Sequence, residues 1–224
     1  MKLTVFFLLP LLISCNDKIN NGEKVSINGV DISKYLLTEI EREAGKKFEA
    51  RRKAFWVNDA TAENGIRKAD SIVNGIQITF VKENQARTIV RNYLSKFEQS
   101  GYYIYLKNLD FDKEFAIYYD VVVIKCKDQF ELVKLAETSG LNYDVTNDDV
   151  VDRLKLWHKQ SPFTIIVADE DRIEADFIRV PADLREFAKE VHDFCPDVIE
   201  QGAGSEQELI EYFKKEQSFW LWWD

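Results

Sequence analysis

Phe115-Ala-Ile-Tyr-Tyr-Asp-Val-Val-Val-Ile-Lys-Cys126 is a long β-branched and aromatic run, the composition of a strand set into a sheet. Just upstream, Ala86, Ile89, Val90, Tyr93, Leu94 and Phe97 recur at helical spacing within Glu83–Gln99, which predicts a helix with one apolar stripe. Gly101 ends that helix, and the aromatic alternation of Tyr102 to Leu106 starts another strand, joined to Phe115–Cys126 by a turn over Asn108–Lys113. Helix followed by hairpin is the kernel of an α+β arrangement. The sequence therefore predicts a mainly antiparallel sheet with helices packed on one face.

The same reading extends outward. Before the kernel lie a short helix over Ser33–Ala44 and strands over Phe48–Val57 and Ile72–Val81, with a loop across Asn58–Lys68. After it, Asp128 suits the N-cap of a helix over Gln129–Thr138. Asn147 or Asp148 suits the cap of Val150–Gln160. Phe163–Ala168 and Arg172–Val180 read as a hairpin around Asp169-Glu170-Asp171, and Pro181 stands where a first-turn proline belongs. Leu184, Phe187, Ala188, Val191 and Phe194 form another stripe, and Ser205 with Glu208 makes a capping box for a helix through Phe213. The order strand, helix, hairpin, helix, strand from Ile76 to Ala168 suits a split βαβ (ferredoxin-like) unit.

The amino end carries a different kind of information. Lys2, the apolar run Leu3–Ile13, Ser14 and Cys15 follow in the order of a secretory signal with a lipoprotein cleavage site. The run is too short to span a bilayer, which takes roughly 20 residues. Leu12-Ile13-Ser14-Cys15 resembles the bacterial lipobox, which implies removal of residues 1–14 and acylation of the Cys15 thiol. Two acyl chains give stable attachment where one holds only marginally. Residues 15–26 then read as the lipidated cysteine and a polar tether. Residues 27–110 read as an N-terminal α/β region and 111–224 as a C-terminal α+β domain. The expectation is a bacterial envelope protein, lipid-anchored and extracytoplasmic, whose membrane contact is the lipid on Cys15.

Charge narrows the partners. The 224 residues include 30 Lys and Arg against 39 Asp and Glu, a formal net charge of −9. Without a basic stripe, this argues against nucleic acid, where phosphate neutralisation supplies most of the affinity. With Cys15 acylated, Cys126 and Cys195 remain, and both a disulfide and two buried free thiols fit their settings.

Several stretches of the second half resemble, in order, a bacterial family known only as domain of unknown function 4253. They are Thr138-Ser-Gly-Leu-Asn142-Tyr143, Val151 to Trp157, the Pro181 segment running into Phe194-Cys195-Pro196-Asp197, Gln201-Gly202 and Trp222-Trp223-Asp224. The resemblance covers about residues 115–224 and implies no activity.

Chemistry-bearing residues crowd together at one place, His192, Asp193, Cys195 and Asp197. A cysteine hydrolase would need the thiolate within reach of an imidazole, with Cys195, His192 and Asp197 as its catalytic set. Against that, a thiol at a helix C-terminus meets the wrong end of the dipole for activation. His158 and His192 lack metal-site spacing, and Asp169–Asp171 reads as a solvated hairpin tip. No phosphate-cradling loop, nucleotide fingerprint or Gly-x-Ser-x-Gly elbow occurs among the 9 glycines, so no metal or cofactor is expected. In the terminal Phe219-Trp-Leu-Trp-Trp-Asp224, strand alternation sends Trp220 and Trp222 to one face. Trp220, Trp222 and Asp224 are thus the candidate binding residues, suited to a protein partner. A non-catalytic binding module is the expected function. An immunity-type role, neutralising a toxin from neighbouring cells, would fit the anchor and the acidic surface. An envelope cysteine hydrolase is the alternative.

Overall fold

The computed structural model describes residues 23–58, 61 and 66–224; the signal segment, Cys15 and most of the tether lie outside the described residues. The fold is α+β. A seven-stranded, mostly antiparallel sheet runs in the order β3-β4-β6-β5-β7-β8-β9, beside a two-stranded hairpin of β1 (Lys24–Ile27) and β2 (Val30–Ser33).

The amphipathic stripe behaves as its spacing requires. In α2 (Glu83–Glu98), Ala86, Ile89, Val90, Tyr93, Leu94 and Phe97 are all buried. They pack on β5 (Tyr102–Phe111) and β6 (Ile117–Lys125), the central hairpin. The covering is not confined to one face, however. Tyr102–Leu106 of β5 and Val121–Ile124 of β6 are buried without interruption, so this hairpin is covered on both sides. α1 (Lys34–Ala44) sits beside α2. β3 (Glu49–Asn58) and β4 (Ile66–Lys82) extend the sheet. β4 is 17 residues long and takes in the described end of the segment read as a loop.

Two short elements, α3 (Gln129–Ala136) and α4 (Asn147–Gln160), carry the chain from β6 to β7 (Phe163–Ala168). Asp128 caps α3 through bonds from the Phe130 and Glu131 amides, both 2.8 Å. α4 is capped one residue earlier than its sequence suggests. Thr146 and Asp149 form the capping box, because a hydroxyl and a carboxylate three apart satisfy two orphan amides reciprocally. β8 (Arg172–Phe177), α5 (Leu184–Phe194), a single π turn (Val198–Ala203), α6 (Glu206–Glu216) and β9 (Ser218–Trp222) complete the chain. The N-cap of α5 is Asp183, so Pro181 precedes the helix and does not open it.

The core of the second half is aromatic. Phe219 meets the rings of Trp157, Phe163 and Phe187 at centroid distances of 5.9, 4.9 and 5.6 Å, each close to edge-on, the arrangement ring quadrupoles favour.

The sheet is weakly joined at its middle. β5 and β7 run parallel and share one bridge, Leu106 with Val167. Beyond it the strands separate, and the buried Tyr103 hydroxyl donates to the Ile165 carbonyl at 2.9 Å. On β7, Gln129 stands in for a strand neighbour: its carbonyl accepts the Ile165 amide and its amide donates to the Phe163 carbonyl. The boundary at 110/111 falls inside β5, whose partner β6 lies on the other side of it.

Candidate functional site

The carboxyl ends of the parallel strands β5 and β7 open into a cleft of about 1160 Å³. Its walls are β3, the end of the β5–β6 hairpin, the β7–β8 turn, the Ser139–Asn142 loop and the last turn of the chain at Trp222 and Trp223.

Asp120 organises the floor. It lies on β6, with a bulge in the strand on either side: β4 shifts register between Ile78 and Val81, and β5 between Lys107 and Asp110. Each bulge places one residue in the left-handed region, Phe80 at φ 55° and Asn108 at φ 52°, uncommon for Asn and costly for a bulky ring. The Asp120 carboxylate holds both, accepting the Phe80 amide at 2.9 Å and the Asn108 side-chain amide at 2.8 Å. Bulges of this kind re-aim side chains and interrupt pairing. Burial pushes the Asp120 carboxyl above the ordinary aspartate value, against its two hydrogen bonds and with help from Asp169.

Asp169 locks the floor to the far half of the sheet. Its carboxylate accepts the Asn108 backbone amide at 2.7 Å and pairs with Lys107 at 3.2 Å. Lys107 is largely enclosed, with 12 % of its side chain exposed. The acidic turn is therefore not wholly solvated, because Asp169 bridges the weak β5–β7 junction. Asp171 stays exposed, its carboxyl raised by partial burial and by Asp169. Beside it, Arg172 bonds Glu174 at 2.8 Å, and Arg87 approaches the same carboxylate at 2.7 Å. Burial works to raise the Glu174 carboxyl, and the two guanidinium groups together hold it below its ordinary value.

The residues nominated from sequence fall into two places. Trp222 lines the cleft, cross-strand from Arg172. Trp220, on the same face, is half-buried against Tyr212, with ring centroids 6.5 Å apart, and against Gly202. β9 is thus a sheet edge with one indole packed and one turned to the cleft. Asp224 is held by its backbone, its amide donating to Asp197 at 3.0 Å and its carbonyl accepting from Asn142 at 2.6 Å.

Cys195 and Asp197 form a clamp on that edge strand. The Cys195 thiol is buried and engages both the carbonyl and the amide of Trp222. Burial pushes it up to about 12, despite those backbone bonds. Asp197, 1 % exposed, accepts the Tyr143 hydroxyl at 2.6 Å, Gln201 at 2.9 Å and the Asp224 amide. The His192 ring faces Glu206, with Nδ1 3.7 Å from its carboxylate. So the structure joins Cys195 and Asp197 to β9 and points the imidazole toward α6. Cys126 and Cys195 are free thiols.

The stretches that carried the family resemblance meet here. Trp223 lies against Gly140, where a Cβ would come within 2.5 Å of the indole, and its Nε1 bonds the Phe194 carbonyl. Trp220 lies against Gly202 so closely that a Cβ would enter the ring.

Asp120, Lys107 and Asn108 escaped sequence reading. A lone Asp within Tyr-Tyr-Asp-Val-Val-Val-Ile was the available signal, since an unpaired charge in a buried strand needs a local reason. Among the described residues, no group of three or more His, Cys, Asp or Glu is placed to hold a metal ion, and no helix is long and apolar enough to cross a membrane.

Residues 120–224 match the family model described as Domain of unknown function (DUF4253). The match begins at Asp120 and contains the whole clamp, while β3, β4 and β5 precede it. No curated protein and no solved structure matches the chain.

Proposed function

We propose that this protein is a lipid-anchored lipoprotein of the bacterial cell envelope, held outside the cytoplasm by Cys15, and that it acts as a non-catalytic binding module. The cleft at the end of the sheet is its ligand face. One observation carries the reading: the chain ends in a clamp that spends its cysteine and its most buried aspartate on fixing β9, so that Trp222 borders a wide, charged opening. Nucleophilic chemistry needs an accessible thiolate beside a base. A thiol raised to about 12 and bonded to backbone serves strand positioning instead. An acidic surface and a membrane tether suit capture of a protein at the envelope, an immunity-type role among the options.

Two measurements test this. Mass spectrometry of the native amino terminus should find a diacylated Cys15 with residues 1–14 gone; an intact leader or bare thiol would remove the envelope assignment. Capture from the native envelope should lose its partner when Trp222→Ala is introduced with folding intact. Undiminished capture by that variant would take the binding face away from the cleft.

A further inference from the structure

The cleft's charges are unevenly spent. Each cation on its wall is committed to a carboxylate: Arg52 to Asp70 at 3.0 Å, Lys53 to Glu137 at 2.8 Å, Lys107 to Asp169, and Arg172 to Glu174. Among the described residues, Asp110, Asp120 and Asp171 line the same cleft with no ion pair. The rim, in contrast, is apolar. Phe55, Phe80, Phe111 and Leu141 line the cleft and are exposed, Leu141 by 74 %.

From the binding-module reading, we infer that the cleft receives an extended segment of a partner protein that presents a Lys or Arg side chain between apolar neighbours. The cation lies between Asp120 and Asp171, and the apolar side chains rest on Phe55, Phe111 and Leu141. Three features support that occupant over others. An excess of unneutralised carboxylate repels polyanions and attracts a cation. The volume far exceeds one side chain. The apolar rim around a charged floor is the pattern of a segment with alternating side chains, and the exposed Phe55 and Phe111 rings also attract a guanidinium. A neutral polysaccharide could use the rings and donate hydroxyl hydrogens to the carboxylates, but it would leave their charge uncompensated.

The test uses three acetylated, amidated tripeptides, Leu-Arg-Leu, Leu-citrulline-Leu and Leu-Glu-Leu, followed by amide NMR shifts of the folded protein. The arginine peptide should move the amides of Phe80, Asn108, Asp120 and Asp171 and bind at least about tenfold more tightly than its neutral citrulline isostere, roughly 1.4 kcal/mol. Asp171→Asn, in an exposed turn, should weaken it without altering the rest of the spectrum, and Asp120→Asn should weaken it further. Equal binding of arginine and citrulline in the cleft, or preference for glutamate, would overturn the basic-segment assignment and leave the binding face standing. Shifts confined to other surfaces, or none with any peptide, would overturn this inference, while partner capture through Trp222 judges the binding face separately.

Discussion

The Cys195 thiol donates to the Trp222 carbonyl at 3.0 Å and accepts the Trp222 amide at 3.3 Å. Trp223 donates the next amide to the Asp171 carbonyl in the β7–β8 turn, so Trp222 turns its backbone groups to the opposite, outer edge of the sheet. One side chain thus covers both polar groups of an edge residue, which would otherwise invite another strand. Asp197 holds the following residue, and Trp222 is fixed where it meets the cleft.

Removing the aspartate should therefore cost more than one hydrogen bond. Asp197→Ala takes the acceptor from the Tyr143 hydroxyl, the Gln201 amide and the Asp224 amide, at about 1–2 kcal/mol of stability, since these donors reach solvent. Asp197→Asn, which keeps one acceptor oxygen, should lose less. Urea unfolding curves with unchanged slope would measure both.

The same carboxylate links stability to pH. Burial acts to raise it, but its three donors together hold it below the ordinary aspartate value of 3.8. A depressed carboxyl binds fewer protons in the folded state, so its stabilisation is fully present above 3.8 and fades as pH falls through its lowered value. Asp197→Asn should remove that acid limb, seen as a flatter stability curve over the same range.

Gly202→Ala should destabilise through collision with Trp220, by about 1–3 kcal/mol as overpacking does. Glycine stands there for close approach, since a Cβ would enter the Trp220 ring. Trp220→Leu should recover part of the loss, giving a coupling of 0.5 kcal/mol or more in a double-mutant cycle, at about the lower bound for contacting residues. Additive effects would show that the two do not touch.

How far the sequence disclosed these features follows the range of the interaction concerned. The α2 stripe, the α5 stripe and the pairing of β5 with β6 are local periodicities that emerged as read, but the turn lies further on than Asn108–Lys113, because β5 continues past its bulge to Phe111 and β6 starts at Ile117. β4 escaped along its first part because Arg67, Lys68, Asp70 and Ser71 carry no apolar alternation in the sequence; the strand there pairs with β3 along the backbone ladder, with the Arg52–Asp70 ion pair across it. The insertion of β5 between β6 and β7 rests on one parallel bridge and a tyrosine hydroxyl, which no local pattern encodes. Trp220 and Trp222 share a face as alternation required. Only tertiary contact with Gly202 decided that one is packed and the other faces the cleft.

Breaking the buried charge cluster beside the cleft should be severe. Glu174→Ala strands Arg172 and leaves Arg87 with Glu83 alone, at about 3–5 kcal/mol, whereas Glu174→Met combined with Arg87→Met and Arg172→Met should recover much of that. Thermal denaturation of the three proteins would rank them.

Binding of a cation should also follow the cleft carboxyls. Burial raises Asp120, and partial burial with Asp169 raises Asp171, above the ordinary 3.8. Both therefore take up protons at a higher pH than an ordinary aspartate does. Affinity for the arginine tripeptide should fall as pH drops toward 3.8, beginning above that value. In Asp120→Asn the decline should be shallower, by titration at matched ionic strength.

The binding role itself is tested most directly by a photo-crosslinking residue placed at Phe111, on the cleft rim, and at Ile178, exposed beyond the opposite end of β8. With the tethered protein in its native envelope, irradiation should trap one partner through position 111 and not through 178, and Trp222→Ala should abolish it. Trapping through 178 alone, or an adduct at 111 indifferent to Trp222, would contradict the account.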